Sequence, residues 1–191
     1  MALSTQFYLC RHGQSVWNQQ ALLQGQQESP LSVVGKQQAL TLAHKIAAWN
    51  INHIVSSSLG RAIQTAQICA EHSGLQTKAI GGIAERHFGQ WQGLYLKDIR
   101  EYSAFCQQRY AQPELRPGLC GESTHEVQHR MQQTLVTLAK QHLGDKLLVI
   151  SHGDALACLM SLWTPAIELA NIGGIHLSYQ NQQLHWEGLL V

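Results

Sequence analysis

Charge is scarce in this sequence. Only 13% of its 191 residues are Asp, Glu, Lys or Arg, and the formal net charge is +1. A nearly neutral chain has no broad field to attract nucleic acid or an anionic membrane, so any anion site must be a local cluster of arginines. No apolar run reaches the roughly 18 residues of a membrane span. The N-terminus enters a short apolar segment without the basic and apolar regions of a signal peptide. No C-x-x-C pair occurs either. The five cysteines, Cys10, Cys69, Cys106, Cys120 and Cys158, are scattered and odd in number. That pattern argues against a zinc ribbon or disulfide scaffold and for free thiols in a reducing compartment. No internal repeat is visible. These absences leave the expectation of a soluble cytoplasmic protein, while its oligomeric state is not legible.

What is present suits one globular unit. Apolar residues make up 45% of the chain, and a chain this long buries about 70% of its unfolded surface without a staple. A single domain is expected over residues 1–191, with a short cap inserted at 86–120. Gln6–Cys10, Ile51–Ser56, Thr77–Ala84 and Lys146–Ser151 read as strands. Ile175–Tyr179 and Gln183–Leu190 read as a hairpin around Asn181. Helices are expected from the Ser32 N-cap to Trp49, from Leu59 to a stop at Gly74, over Thr124–Leu143 and over Gly153–Trp163. A weaker helical pattern covers Leu94–Tyr110. Strands alternating with helices predict an α/β fold, a three-layer α/β/α sandwich with a mostly parallel central sheet.

In such sheets, ligands bind beyond the carboxyl ends of the strands. Two strands end in the same way: Arg11-His12-Gly13 and Ser151-His152-Gly153. A neutral imidazole attacks phosphorus well and leaves well, so it can carry a phosphoryl group. Neighbouring arginines keep the imidazole neutral and bind the phosphoryl oxygens where transition-state charge accumulates. Gly13 offers a main-chain acceptor to the other ring nitrogen. Arg61 falls in the first turn of a helix, where a cation is unfavourable unless an anion joins it.

One motif competes. His125-Glu126-x-x-His129 spells H-E-x-x-H, a zinc peptidase signature. At about 100° per residue, however, Val127, Met131, Thr134, Leu135 and Leu138 share one helix face, and both histidines point the other way. A catalytic zinc needs a third ligand and a walled cavity, and no ligand motif follows. Two exposed histidines are expected, with His125 near enough to the helix start to reach a pocket rim.

The residues together resemble the histidine phosphatase superfamily, in the branch of cofactor-dependent phosphoglycerate mutases and their bacterial phosphatase relatives. The resemblance runs from Gln6 to Ser161. It includes Arg11-His12-Gly13, Trp17-Asn18, Gln24-Gly25, Ser29-Pro30-Leu31, Ser56-Ser57, Arg61-Ala62, Thr65-Ala66, Glu85, Gly121-Glu122-Ser123 with Arg130, and Ser151-His152-Gly153. It implies His12 as nucleophile, with Arg11, Arg61 and His152 forming the phosphate pocket and Asn18 and Gly25 nearby. Gln24 and Glu122 border the substrate. Glu85 is implied as the proton donor and then the base, with Asp154 as a competing acid whose simpler reading is a helix N-terminal carboxylate. Gln14 departs from the family by replacing a common glutamate. Phe88 and the displaced Lys97 depart from the mutase pattern.

The expected activity is metal-independent phosphomonoester hydrolysis through phosphohistidine, on a small phosphorylated metabolite and with no cofactor. A short cap with dispersed Arg100, Arg109 and Arg116 favours hydrolysis over mutase chemistry. Trp91, Tyr95, Phe105 and Tyr110 are candidate walls for an organic leaving group, or plain cap packing. A phosphoglycerate mutase is the alternative. A non-catalytic phospho-ligand binding domain and a zinc peptidase are the remaining readings.

Overall fold

A computed structural model of the chain describes residues 3–190. Its strands are β1 (Thr5–Arg11), β2 (His53–Ser57), β3 (Thr77–Ile80), β4 (Lys146–Ser151), β5 (Gly174–Gln180) and β6 (Gln183–Leu190). Its helices are α1 (Val16–Gln19), α2 (Val33–Trp49), α3 (Gly60–Ser73), α4 (Tyr102–Gln108), α5 (Thr124–Gln141) and α6 (Gly153–Met160). The six strands form one sheet in the order β3-β2-β4-β1-β5-β6. The first four are mutually parallel, and β5 and β6 run antiparallel to close the edge. This is the mostly parallel sandwich that the sequence predicts.

The period-2 geometry of a strand sorts the core into two layers. Phe7, Leu9, Leu147 and Val149 face α5 and α6 through Val127, Met131, Leu135 and Leu156. Their alternates Cys10, Leu148 and Ile150 face α2 and α3 through Leu42, Ile46, Ala62 and Ala66. Both strands that end in histidine are therefore buried on two faces. Their ends are in register: Arg11 pairs with Ser151, and the His12 amide donates to the Ser151 carbonyl at 3.0 Å.

Local signals decide most boundaries. Ser32 caps α2 by accepting from the Gly35 amide, and Ser123 with Glu126 forms a capping box on α5. The third strand is shorter than expected, because Gly81–Ile83 turn into a 3-10 helix. The weakly helical stretch Leu94–Tyr110 yields only a 3-10 turn at Leu96–Asp98 and the seven-residue α4. Its apolar residues instead form a small separate cluster, with Leu23, Phe88, Trp91, Ile99 and Phe105 buried together. No described helix is long and apolar enough to cross a membrane.

Candidate active site

A cavity of about 670 Å³ opens at the carboxyl ends of β1 and β4. Arg11, His12, Asn18, Gln24, Gly25, Arg61 and Glu85 all line it. Residues from five separated parts of the sequence thus converge on one hollow. His152 and Glu122, the other two predicted residues, do not line it.

His12 is 2% exposed. Its Nδ1 lies 2.6 Å from the Gly13 carbonyl, and the Arg61 Nε–H donates to its Nε2 at 3.2 Å. A carbonyl only accepts and a guanidinium only donates. The proton therefore sits on Nδ1, and the Nε2 lone pair accepts from Arg61. Burial, then the Arg61 and Arg11 charges, hold this imidazole well below its ordinary pKa, against the pull of the Gly13 carbonyl.

Arg61 is fully buried in the first turn of α3. Its remaining nitrogens donate to the Gly25 carbonyl at 2.7 Å and the Gln27 carbonyl at 3.0 Å. Burial brings its pKa down to about 10, so it stays charged at neutral pH. Arg11 donates to the Leu169 carbonyl at 2.6 Å, but its Nε is buried and has no partner. Gly153 makes room for this guanidinium: a Cβ there would sit 3.1 Å from Arg11 Nε. His152 is fully buried, its ring centroid 5.1 Å from that of His12. Its Nε2 lies 2.7 Å from Ser57 Oγ. With the Ser57 hydroxyl donating to Nε2, the ring proton is on Nδ1. His152 Nδ1 is the second buried polar side-chain atom without a partner among the described residues. Two orphaned donors beside His12 call for an acceptor. Each costs about 1–3 kcal/mol while unsatisfied, and an oxyanion removes that cost.

Glu85 sits over the start of α6. Its Oε1 accepts from the Ala155 amide at 2.8 Å and the Arg86 amide at 2.9 Å. Burial, then the Asp154 charge, push its pKa up, against those amides and Arg61. Asp154 is handled in the opposite way. It takes Arg86 Nε at 2.5 Å and Arg109 Nε at 2.9 Å. Burial favours its neutral form, but the two guanidinium groups outweigh burial and lower its pKa. Two adjacent carboxyls are driven apart, and Glu85 is the one biased toward holding a proton.

Glu122 binds Arg130 through both oxygens, at 2.8 and 3.0 Å. Arg130 in turn holds the carbonyls of Gly82, Ala84 and Glu85. Through Arg130, Glu122 braces the chain that carries Glu85. Asn18 Oδ1 accepts from the Ser15 amide in the α1 capping box. Gln24 Oε1 accepts from Ser15 Oγ.

Of the two readings of the aromatics, cap packing is the one seen for Trp91 and Phe105. Trp91 and Phe105 are buried within the small apolar cluster, Tyr95 is exposed, and Tyr110 reaches Asp154. Leu22, Leu23, Phe88, Leu96 and Tyr102 line the cavity instead. Sequence reasoning gave no role to Ser57, Arg86 or Asn171, whose Nδ2 donates to the His12 carbonyl at 3.0 Å. Ser57 lay within a matched family pair, but Arg86 and Asn171 carried no sequence signal.

The H-E-x-x-H residues do not converge. His125 Nδ1 pairs with Glu114 at 2.8 Å, His129 contacts Gln133, and Glu126 serves the capping box and Arg116. Both histidines are exposed, and His125 does not line the cavity.

Known proteins resemble this chain in sequence and in fold. The histidine phosphatase superfamily (branch 1) is matched over residues 7–186. A probable phosphoglycerate mutase GpmB of Yersinia enterocolitica is 36% identical over 157 residues, covering 82% of this chain and 73% of that protein. Bacillus stearothermophilus YhfR superposes with a TM-score of 0.85 at 28% identity, covering 96% of each chain. A mycobacterial glucosyl-3-phosphoglycerate phosphatase solved with VO3 superposes with a TM-score of 0.84 at 26% identity, covering 98% of each. With that match spanning nearly the whole length, and with the twin histidine strand ends in register, the chain belongs to the histidine phosphatase superfamily.

Proposed function

We propose that this protein is a metal-independent phosphomonoesterase acting in the cytoplasm on a small phosphorylated metabolite. One observation carries the reading: the unprotonated Nε2 of buried His12 faces Arg61 beside two partnerless donors. Nε2 attacks phosphorus, and the ester P–O bond breaks as the N–P bond forms. Arg11, Arg61 and His152 take up the charge on the phosphoryl oxygens. Glu85, biased toward its protonated form, gives its proton to the departing alkoxide. A water then attacks phosphorus, Glu85 takes the water proton, and the N–P bond breaks to release phosphate and restore His12. Asn18 and the Gly25 segment bound the phosphate, and Gln24 bounds the leaving group. Residues 86–120 act as the cap.

The charge of the cavity favours hydrolysis over mutase chemistry. Its lining cations are Arg11, Arg61 and Arg109. Arg109 is held by Asp154 and by the Cys106 carbonyl. Arg109 is thus already engaged, and exposed Glu168 in the lining carries a charge of the same sign as a carboxylate. A leaving group without strong negative charge fits best. The names of the curated relatives support the mutase reading. The two separate in one assay: phosphate release from a panel of phosphorylated metabolites, run against interconversion of 2- and 3-phosphoglycerate. Hydrolysis faster than interconversion, insensitive to chelator, is expected. Interconversion faster than phosphate release would establish the mutase instead.

A further inference from the structure

Three metal-ligating side chains meet at the opposite end of the sheet from His12. His53 opens β2, His142 caps the end of α5, and Asp145 directly precedes β4. His53 Nε2 lies 2.9 Å from Asp145 Oδ2, and His142 Nδ1 lies 3.8 Å from the same oxygen. All three donor atoms fall within 4.8 Å of one another. The two imidazole rings are 4.2 Å apart between centroids.

We propose that His53, His142 and Asp145 form a divalent-metal site for an ion of zinc type, separate from phosphoryl transfer. Two imidazoles and one carboxylate suit Zn(II), Co(II) or Ni(II), whereas Mg(II) and Ca(II) call for an oxygen set. A fourth position is left to water. The side chains are 40%, 26% and 39% exposed, so an ion enters without opening the fold.

The backbone holds the donors on rigid parts. The Asp145 amide donates to the His142 carbonyl at 3.1 Å, and the Gln6 amide donates to the Asp145 carbonyl at 2.9 Å. Thr5 Oγ1 donates to the His142 carbonyl at 2.9 Å. A bare His53–Asp145 pair this exposed contributes little to stability, and it leaves the second imidazole without a role. His53 and Asp145 are 92 positions apart, so an ion shared between them closes a long loop and stabilises the fold. Lys78 on β3 lies in register with Val55, two residues beyond His53 on β2, and its positive charge opposes the ion.

The test titrates untagged, metal-free protein with Co(II) and then Zn(II). One equivalent of Co(II) is expected to bind with visible ligand-field bands, and Zn(II) should displace it. At hundredfold excess of Zn(II) over its dissociation constant, Tm should rise by about 5 °C or more. Loss of an outer-shell partner alone costs about tenfold in metal affinity. His142→Ala and Asp145→Asn should therefore weaken binding at least that much, with the fold checked by circular dichroism. Lys78→Gln, a surface change, should tighten binding several-fold, and His125→Gln/His129→Gln should leave it unchanged. Stripping the metal should leave hydrolysis of p-nitrophenyl phosphate as it was. Absence of a stoichiometric site in the wild-type protein would overturn the proposal. So would equal affinity in a folded His53→Gln/His142→Gln protein, or no response to Lys78→Gln.

Discussion

Arg61 Nε donates to His12 Nε2 across 3.2 Å, with both side chains buried. The contact keeps Nε2 unprotonated, and in the proposed mechanism it holds a cation where the phosphoryl group arrives. Arg61→Ala should therefore remove charge stabilisation and alignment together. Loss of such an arginine costs on the order of 10³-fold in kcat, and steady-state hydrolysis of p-nitrophenyl phosphate checks it. A variant within tenfold of the wild type would contradict the role.

The pH profile should be a bell. His12 has a lowered pKa, so it stays neutral below its ordinary range, and the acid limb lies below about 6.5. Glu85 has a raised pKa, and its proton is lost as pH rises through that value, which sets the alkaline limb. Glu85→Gln should lower kcat by about 10²–10⁴-fold for alkyl phosphates. The same substitution should raise Tm at neutral pH. The folded state holds the Glu85 proton above the pH at which the unfolded chain releases it, so stability falls through that window. His12 works in the other direction: below about pH 6.5 the unfolded chain binds protons that folded His12 refuses, so stability declines on acidification.

Asp154→Asn separates the two carboxyls. Arg86 is fully buried against Asp154, and removing one partner of a buried ion pair costs about 3–5 kcal/mol. Urea unfolding measures that loss. Asp154 also raises the Glu85 pKa, so the alkaline limb of the substituted enzyme should move to lower pH. Disappearance of that limb would make Asp154 the acid instead.

Gly25 has φ +55°, and a Cβ there would lie 2.1 Å from Gln92 Oε1. That oxygen is already held by the Gln26 and Phe88 amides. A left-handed non-glycine residue costs about 1–2 kcal/mol before any clash. Gly25→Ala should lower Tm by roughly 5 °C and reduce turnover, because the Gly25 carbonyl holds Arg61. Calorimetry alongside kinetics reads both.

Much of this was legible in local pattern. The run Lys146–Ser151 became a strand with those bounds, Ser32 and Gly74 ended their helices as read, and Asn181 turns the hairpin with positive φ. The pairing of two x-His-Gly strand ends located the cavity, since strand ends are set by period and register. What stayed hidden depends on contacts distant in sequence. Arg86 meets Asp154 across 68 positions, and no residue near either one announces the pair. A motif gives residue order and not side-chain direction, so the two-oxygen contact of Glu122 with Arg130 could not be read from Gly121-Glu122-Ser123. Leu94–Tyr110 carried weak helical spacing, but its apolar side chains found a separate cluster before a long helix could form.

The most direct measurement is a rapid-quench search for phosphohistidine in the Glu85→Gln protein fed p-nitrophenyl phosphate. Its phenolate departs without a proton, but attack by water still lacks a base, so an acid-labile phosphoryl group should accumulate on His12. The same experiment on His12→Ala should show neither the adduct nor turnover. Turnover undiminished in His12→Ala, or an adduct mapped to another side chain, would contradict the account.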